Sequence, residues 1–507
     1  MMHGREKSDP AIVAVKLANE AEEAAEEPVE PRAGAKGNAM RPDTPRAQER
    51  AGVAQGLDRI RQAARRGEVR FTSLLHHVSI GLLRESFYAL KRDAAAGVDG
   101  LTWASYAADL ERRLADLHER VHKGGPYRPL PARRVYIAKP DGRQRPLAVA
   151  ALEDKIVQRA VQTVLNAIYE DDFLGFSYGF RPGRGQHDAL DALCTAITSR
   201  KVNYILDADI RSFFDSVSHE WLMRLLEHRI GDQRILRLIG KWLKAGVLED
   251  GTVMVSEQGT GQGAVISPLL ANVYLHYVID LWAEQWRRRE AKGDMIIVRY
   301  ADDLVVGFEH EAEARRFLDA MRARLEHFKL ALHPDKTRIV PFGRARAGRA
   351  DDPGRPGTFD FLGFTFICAR SRRGGFLLKR KSRRDRVRAK LQEIKGELRR
   401  RMHQPLEETG RWLAQVVRGF FNYHAVPTNS RTLVAFRNRV VLLWVAVLKR
   451  RSNRARITRE LIAKLRGYLP PPRILHPWPQ ERFAVKHPRW EPYAGKPHVR
   501  FCAGGAQ

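Results

Sequence analysis

The 507-residue sequence has only three cysteines, Cys194, Cys368 and Cys502, far apart and none in a C-x-x-C pair. That excludes a disulfide framework and a cysteine-based zinc module. Hydrophobic residues make up 44% of the chain, yet no run of eighteen or more occurs, so no membrane-spanning helix is expected. The N-terminal string M-M-H-G-R-E-K-S-D-P leads into no apolar segment with a cleavage site, and a reducing cytoplasm is the expected compartment. Acidic charge is scarce as well: 59 Asp+Glu stand against 89 Lys+Arg, a net charge of +30 at pH 7. An excess of that size fits a chain that lies along a polyanion, nucleic acid above all.

The charge is unevenly placed. Residues 1–50 hold eight basic and ten acidic residues and are rich in Ala, Glu, Pro and Gly. This is the composition of a disordered leader, expected to run to residue 55. From Ser371 to the end there are 33 basic and 8 acidic residues, so the last quarter carries most of the excess. Between these limits helix and strand periods alternate. Ile156, Val157, Ala160, Val161, Val164, Leu165 and Ile168 form one helix face. Residues 204–210 read as a strand, and 295–300 and 304–308 as two strands around a polar turn. A Gly/Arg/Pro-rich stretch at 343–357 reads as an inserted loop. Stripes of Trp412, Leu413, Val416, Val417, Phe420 and Phe421, and of Val440, Val441, Trp444, Val447 and Leu448, predict core-packed helices that Pro470, Pro471 and Pro472 terminate. The basic residues off those stripes, Arg437, Arg439, Lys449, Arg450 and Arg451, are the candidates for phosphate contact.

Asp302 and Asp303 occupy the polar turn, and Asp209 closes a separate strand. Adjacent carboxylates repel unless a cation sits between them. Three of them at strand ends make an oxygen-rich site suited to Mg²⁺, which takes water and substrate phosphates as its remaining ligands. Two such ions roughly 4 Å apart would activate a 3′-hydroxyl and stabilise a leaving pyrophosphate. Taken alone, an Asp-Asp pair is more often an ordinary turn. The surrounding motifs decide otherwise.

R-Y-A-D-D at 299–303 resembles the Y-x-D-D hairpin of reverse transcriptases, and it stands in an ordered series. D-I-R-S-F-F-D at 209–215 resembles the strand that carries their first metal ligand. S-Y-G-F-R-P at 177–182 and G-T-G-Q-G-A-V-I-S-P-L-L-A-N at 259–272 resemble segments of bacterial group II intron enzymes. Y-I-A-K at 136–139 with R-P-L at 145–147 is similar to the fingers motif, L-H-P-D-K-T at 332–337 and F-L-G-F at 361–364 to the last palm motifs, and G-V-D-G at 97–100 to an N-terminal extension. The resemblance covers roughly residues 75 to 367. Further on, G-R-W-L at 410–413, R-G-F-F-N-Y at 418–423 and P-T-N-S at 427–430 resemble the thumb and maturase region of group II intron proteins.

The resemblance implies an α+β right-hand polymerase, with fingers and palm built on an antiparallel sheet and an all-helical thumb/maturase domain after it. The expected division is a leader at 1–55, fingers and palm at 56–367, thumb at 368–470 and a basic Pro/Gly-rich tail at 471–507. It implies RNA-directed DNA synthesis in a bacterial cytoplasm, splicing support through the intron RNA, and mobility by target-primed reverse transcription. Asp209, Asp302 and Asp303 would be catalytic and bind two Mg²⁺ ions. Lys139 and Arg145 would hold the deoxynucleoside triphosphate and Gln262 would line its pocket. Phe213 or Phe214 would crowd the sugar 2′ position: strand alternation favours Phe213, and a turn straight after the strand would present Phe214. The partners implied are intron RNA, template RNA and DNA primer, with no membrane. Gly261 and Ala138 replace prolines usual in the family and free the backbone near the nucleotide pocket. No paired Cys/His cluster follows the thumb, so no second-strand cleavage is expected; His487 and His498 read as surface residues. Rival readings are an RNA-binding splicing factor with a vestigial polymerase site, which the intact triad opposes, and a retron-like enzyme without an intron, which the maturase-like block opposes.

Overall fold

The computed structural model describes residues 44–66, 70–123, 127–138, 144–249, 251–261, 263–344, 357–451 and 457–486. Eleven strands occur among them. In chain order they are β1 (Ala132–Ala138), β2 (Gln144–Val149), β3 (Tyr204–Asp209), β4 (Val247–Glu249), β5 (Thr252–Met254), β6 (Met295–Tyr300), β7 (Asp303–Phe308), β8 (Arg338–Pro341), β9 (Thr358–Phe361), β10 (Phe364–Arg370) and β11 (Phe376–Ser382). They form three sheets, ordered β2-β1-β4-β5, β6-β7-β3-β8 and β11-β10-β9.

The second of these is the palm, and all its pairings are antiparallel. Its strands are apolar because both faces are covered. Alternate residues feed two different cores. Leu206, Ala208, Ile297, Leu304 and Val306 join the large core that holds Phe317 and Met321 of helix Glu311–His327. Ile205, Ile296, Val298 and Val305 join a second core with Leu190, Leu193 and Ile197 of helix Gln186–Ser199. Helix Leu152–Asp172, whose expected face is fully buried, ties the large core to helices Thr44–Arg65 and Ile80–Tyr88. A third core, built from Leu413, Val417, Phe420, Phe436, Val440 and Trp444, belongs to the helical block. Both aromatic stripes are therefore core, as expected. Among the described residues no helix is long and apolar enough to cross a membrane.

Three expected boundaries move. Helix Thr44–Arg65 starts inside the stretch read as leader and buries Leu57, Ile60 and Ala64. Its few apolar positions beyond alanine, set among Arg, Ala and Gln on the exposed face, masked the amphipathic pattern. Strand β10 crosses the expected palm–thumb border at 367/368 and β11 lies beyond it, so sheet continues to Ser382 and the helical block opens at Arg384 with helix Arg384–Arg400. The segment after 471, read as a tail, folds back as far as it is described. Leu475 and His476 donate their amides to Ala425 O, and helix Pro479–Lys486 lies on helix Gln186–Ser199. Arg482 there pairs with Asp188 and Asp191. Ion pairs between residues this distant leave no trace in local composition.

Candidate active site

The palm sheet brings the three carboxylates to one end. Asp209 and Asp303 face each other across β3 and β7. Ala301 and Asp302 make the turn between β6 and β7, with Ala301 in the left-handed region at φ 56°. Asp207, two residues before Asp209, lies on the same face, as strand alternation requires. Asp303 keeps an opening to solvent but is ringed by protein on its other sides. Its carboxyl is pushed up to about 7, first by burial and then by the charges of Asp302, Asp209 and Asp207. Asp207 is pushed up to about 6, chiefly by burial, against the pull of Arg338 at 3.6 Å. Crowded carboxylates of this kind are relieved by a cation. Lys336 supplies one: its Nζ donates to Asp209 Oδ2 at 2.5 Å. Among the described residues no three His, Cys, Asp or Glu side chains close tightly enough to enclose a metal unaided. The residues thus suit a hard cation that draws further ligands from water and substrate phosphate.

The two phenylalanines after Asp209 separate cleanly. The strand ends at Asp209, and Ser212 turns left-handed at φ 44°, which breaks the alternation that favoured Phe213. Phe213 is consequently in the core against Tyr274. Phe214 is half-buried and packs edge-on to Phe213. Its carbonyl accepts the Thr260 amide at 2.8 Å, which docks the 259–261 loop beside it. A Cβ on Gly261 would lie 3.3 Å from that of Ala148 in β2, so this loop lies between the fingers hairpin on one side and Phe214 on the other. Arg145 pairs with Ile137 in the hairpin register. Its side chain, and Lys139, Gln262, His487 and His498 altogether, lie outside the described residues.

The thumb positions also divide. Arg439, Lys449, Arg450 and Arg451 are exposed on helix Ser430–Arg451. Arg437 is not a free phosphate contact: it donates to Arg466 O at 2.7 Å and Leu469 O at 3.2 Å, closing the end of helix Arg459–Tyr468. Helix-end carbonyls need such donors, and helical periodicity alone could not assign one to Arg437. Sequence reasoning gave no role to Asp207, Lys336 or Arg386. The alternating D-A-D at 207–209 signalled the first. Nothing singled out Arg386 within the arginine-rich 383–388, although it stands beside Gly363 and its charge reaches Asp303.

The sequence comparisons agree with this geometry. Residues 137–366 match the family described as reverse transcriptase (RNA-dependent DNA polymerase). Protein YkfC of Escherichia coli K12 is 36% identical over 313 residues, covering 55% of this chain and 77% of that protein. The chain belongs to the reverse transcriptase family. Group II intron-encoded protein LtrA of Lactococcus lactis is 41% identical over 155 residues, 30% of this chain and 26% of LtrA. Nuclear intron maturase 3 of Arabidopsis thaliana is 27% identical over 129 residues, 25% of this chain and 18% of that protein. Within the family, this is a reverse transcriptase/maturase of the group II intron type.

Proposed function

We propose that the protein is a Mg²⁺-dependent RNA-directed DNA polymerase that extends a DNA primer on an RNA template, and that it binds intron RNA to promote splicing and target-primed mobility. The observation that carries the polymerase reading is the cross-strand pair Asp209–Asp303 with Asp302 in the adjoining turn. Bound among these carboxylates, Mg²⁺ would acidify the primer 3′-hydroxyl and stabilise the departing pyrophosphate. The protein's own part is to hold three carboxylates in fixed positions and to present the deoxynucleotide to them. Phe214 closes the pocket beside the sugar, where a 2′-hydroxyl would meet its ring. Lys139 and Arg145 serve the triphosphate, the first as a point charge and the second as a fork, and Gln262 lines the pocket. Lys336 keeps Asp209 paired until a metal takes its place. Arg439, Lys449, Arg450 and Arg451 offer a basic helix face to the intron backbone.

Primer extension on an RNA template, run beside in vitro splicing, tests the reading. Wild type should extend the primer only with a divalent cation present. Asp302→Ala should abolish extension while splicing continues. A wild type that splices but never extends would leave only the splicing role.

A further inference from the structure

Immediately before the catalytic turn stands Arg299, completely buried with Asp280 beside it. Its five N–H donors all find acceptors. Nε and Nη2 grip Asp280 Oδ1 and Oδ2 at 2.7 and 2.5 Å, and Nη2 also donates to Ser177 Oγ at 2.7 Å. Nη1 donates to Asn272 Oδ1 at 3.1 Å and to Ala301 O at 2.9 Å. A buried ion pair is a poor way to gain stability, since apolar side chains of similar volume fill such a space without the desolvation cost. What an apolar side chain cannot do is hold the carbonyl of a left-handed residue, and Ala301 is that residue.

The other anchors converge on the same turn. Asp280 ends a π-helical turn, His276–Asp280, that continues helix Ser267–Leu275, the source of Asn272. Loop 176–179 runs along the open edge of β6, where Tyr178 N donates to Arg299 O and Arg299 N to Phe176 O, each at 2.9 Å. Asn272 Nδ2 donates to Gly179 O at 2.6 Å. A Cβ at Gly179 would lie 2.3 Å from Ala301 N, so only glycine lets this loop lie flat against the turn.

We infer that Arg299 is a positioning residue for DNA synthesis: its guanidinium, held by Asp280, Asn272 and Ser177 and backed by Gly179, sets the Ala301 carbonyl and thereby the placement of Asp302 and Asp303. The inference rests on the polymerase reading above. It ties the segments at 177–179 and 267–280, which touch no reacting group themselves, to the geometry of the carboxylates.

The test uses the full chain with preformed primer–RNA template. It combines single-turnover nucleotide incorporation, template affinity by fluorescence anisotropy and thermal melting. Ser177→Ala and Asn272→Ala each remove one arm, Gly179→Ala pushes the turn, and Arg299→Lys keeps the charge but loses the fork. Variants that melt within a few degrees of wild type should lose about tenfold to a hundredfold in incorporation rate, as a displacement near 1 Å brings. Nucleotide and template affinities should stay within about threefold, because only the reacting geometry has moved. Ser177→Ala and Asn272→Ala combined should lose no more than Arg299→Lys, since all act through one guanidinium. Folded variants with a wild-type rate would overturn the inference, as would rate, affinity and melting temperature falling in step. A wild type that does not synthesise DNA would overturn the polymerase reading, and this inference with it.

Discussion

Replacing Arg482 with alanine should release the returning C-terminal segment without unfolding the protein. Arg482 Nη1 lies 2.8 Å from Asp191 Oδ2, and its Nη2 bonds Asp188 Oδ1. The two acids are 7% and 8% exposed and the arginine 24%. Neither carboxylate is stranded by the substitution. Asp191 keeps Arg380 at 2.7 Å, and Asp188 keeps the Gly185 amide at 2.7 Å. The loss is thus two charge-assisted bonds, each about 1.5–3 kcal/mol, reduced because one side chain makes both and Arg380 takes over part of its work. We expect about 2–3 kcal/mol in all. The remaining ties include the Leu475 and His476 amides on Ala425 O, His476 Nε2 on Asn422 O at 2.7 Å, Gln480 Nε2 on Thr198 Oγ1 at 3.4 Å and the His476 ring stacked on His187 at 3.9 Å, so opening is local. Native-state hydrogen exchange reads it directly: the Leu475 and His476 amides should exchange roughly 30 to 150 times faster, at 1.4 kcal/mol per decade. A double-mutant cycle with Asp188→Asn should give a coupling of about 1–2 kcal/mol. Unchanged exchange at both amides, or simple additivity in the cycle, would refute the reasoning.

Other predictions concern the pocket, acid stability and the thumb. Phe214→Val should raise ribonucleotide use relative to deoxynucleotides with little change in stability. Phe213→Ala should cost about 3–5 kcal/mol in urea unfolding and leave sugar choice alone; the reverse pattern would reassign the gate. Burial pushes the Asp232 carboxyl up, but Arg234 and the amides of Leu74, Leu75 and Arg234 outweigh it and hold the group well below the usual carboxylate range. A depressed folded-state pKa stabilises above the unfolded value of 3.8 and loses that stabilisation as pH falls further. Asp232→Asn should therefore cost about 2–4 kcal/mol at pH 7, with the gap to wild type closing below pH 4, and a gap independent of pH would contradict this. Arg437→Ala should destabilise the thumb by about 1–2 kcal/mol through the carbonyls of Arg466 and Leu469. Converting Arg439, Lys449 and Arg450 to glutamine should instead leave melting unchanged and lower the salt slope of RNA binding by about two to three. An unaltered slope would mean that this face touches no phosphate.

What the sequence made legible was local in origin. The apolar strands at 295–300 and 304–308 announce themselves by composition and by the polar turn between them, and the β6–β7 register bears this out. The face of helix Leu152–Asp172 follows from a period of 3.6. Where local pattern misled, a distant partner was responsible. Alternation placed Phe213 on the Asp209 face, but the left-handed Ser212, outside any strand, turns Phe213 into the core and leaves Phe214 half-buried. Arg437 looked like the other thumb arginines until the end of another helix claimed it. The five bonds of Arg299 join segments up to 122 residues apart, and no window along the chain contains them.

The register of β3 carries a further consequence. Asp209 meets Asp303 only because Ile205 and Leu206 sit opposite Gly307 and Val306 in one direction and Val340 and Ile339 in the other. Side chains alternate every residue, so a slip by a single position would carry Asp209 to the opposite face together with the whole apolar pattern. Chemistry and folding therefore share one set of constraints in this strand. On the proposed function, a substitution at Ile205 or Leu206 would act on catalysis through alignment, which would make apolar residues in the middle of the sheet part of what selects the activity.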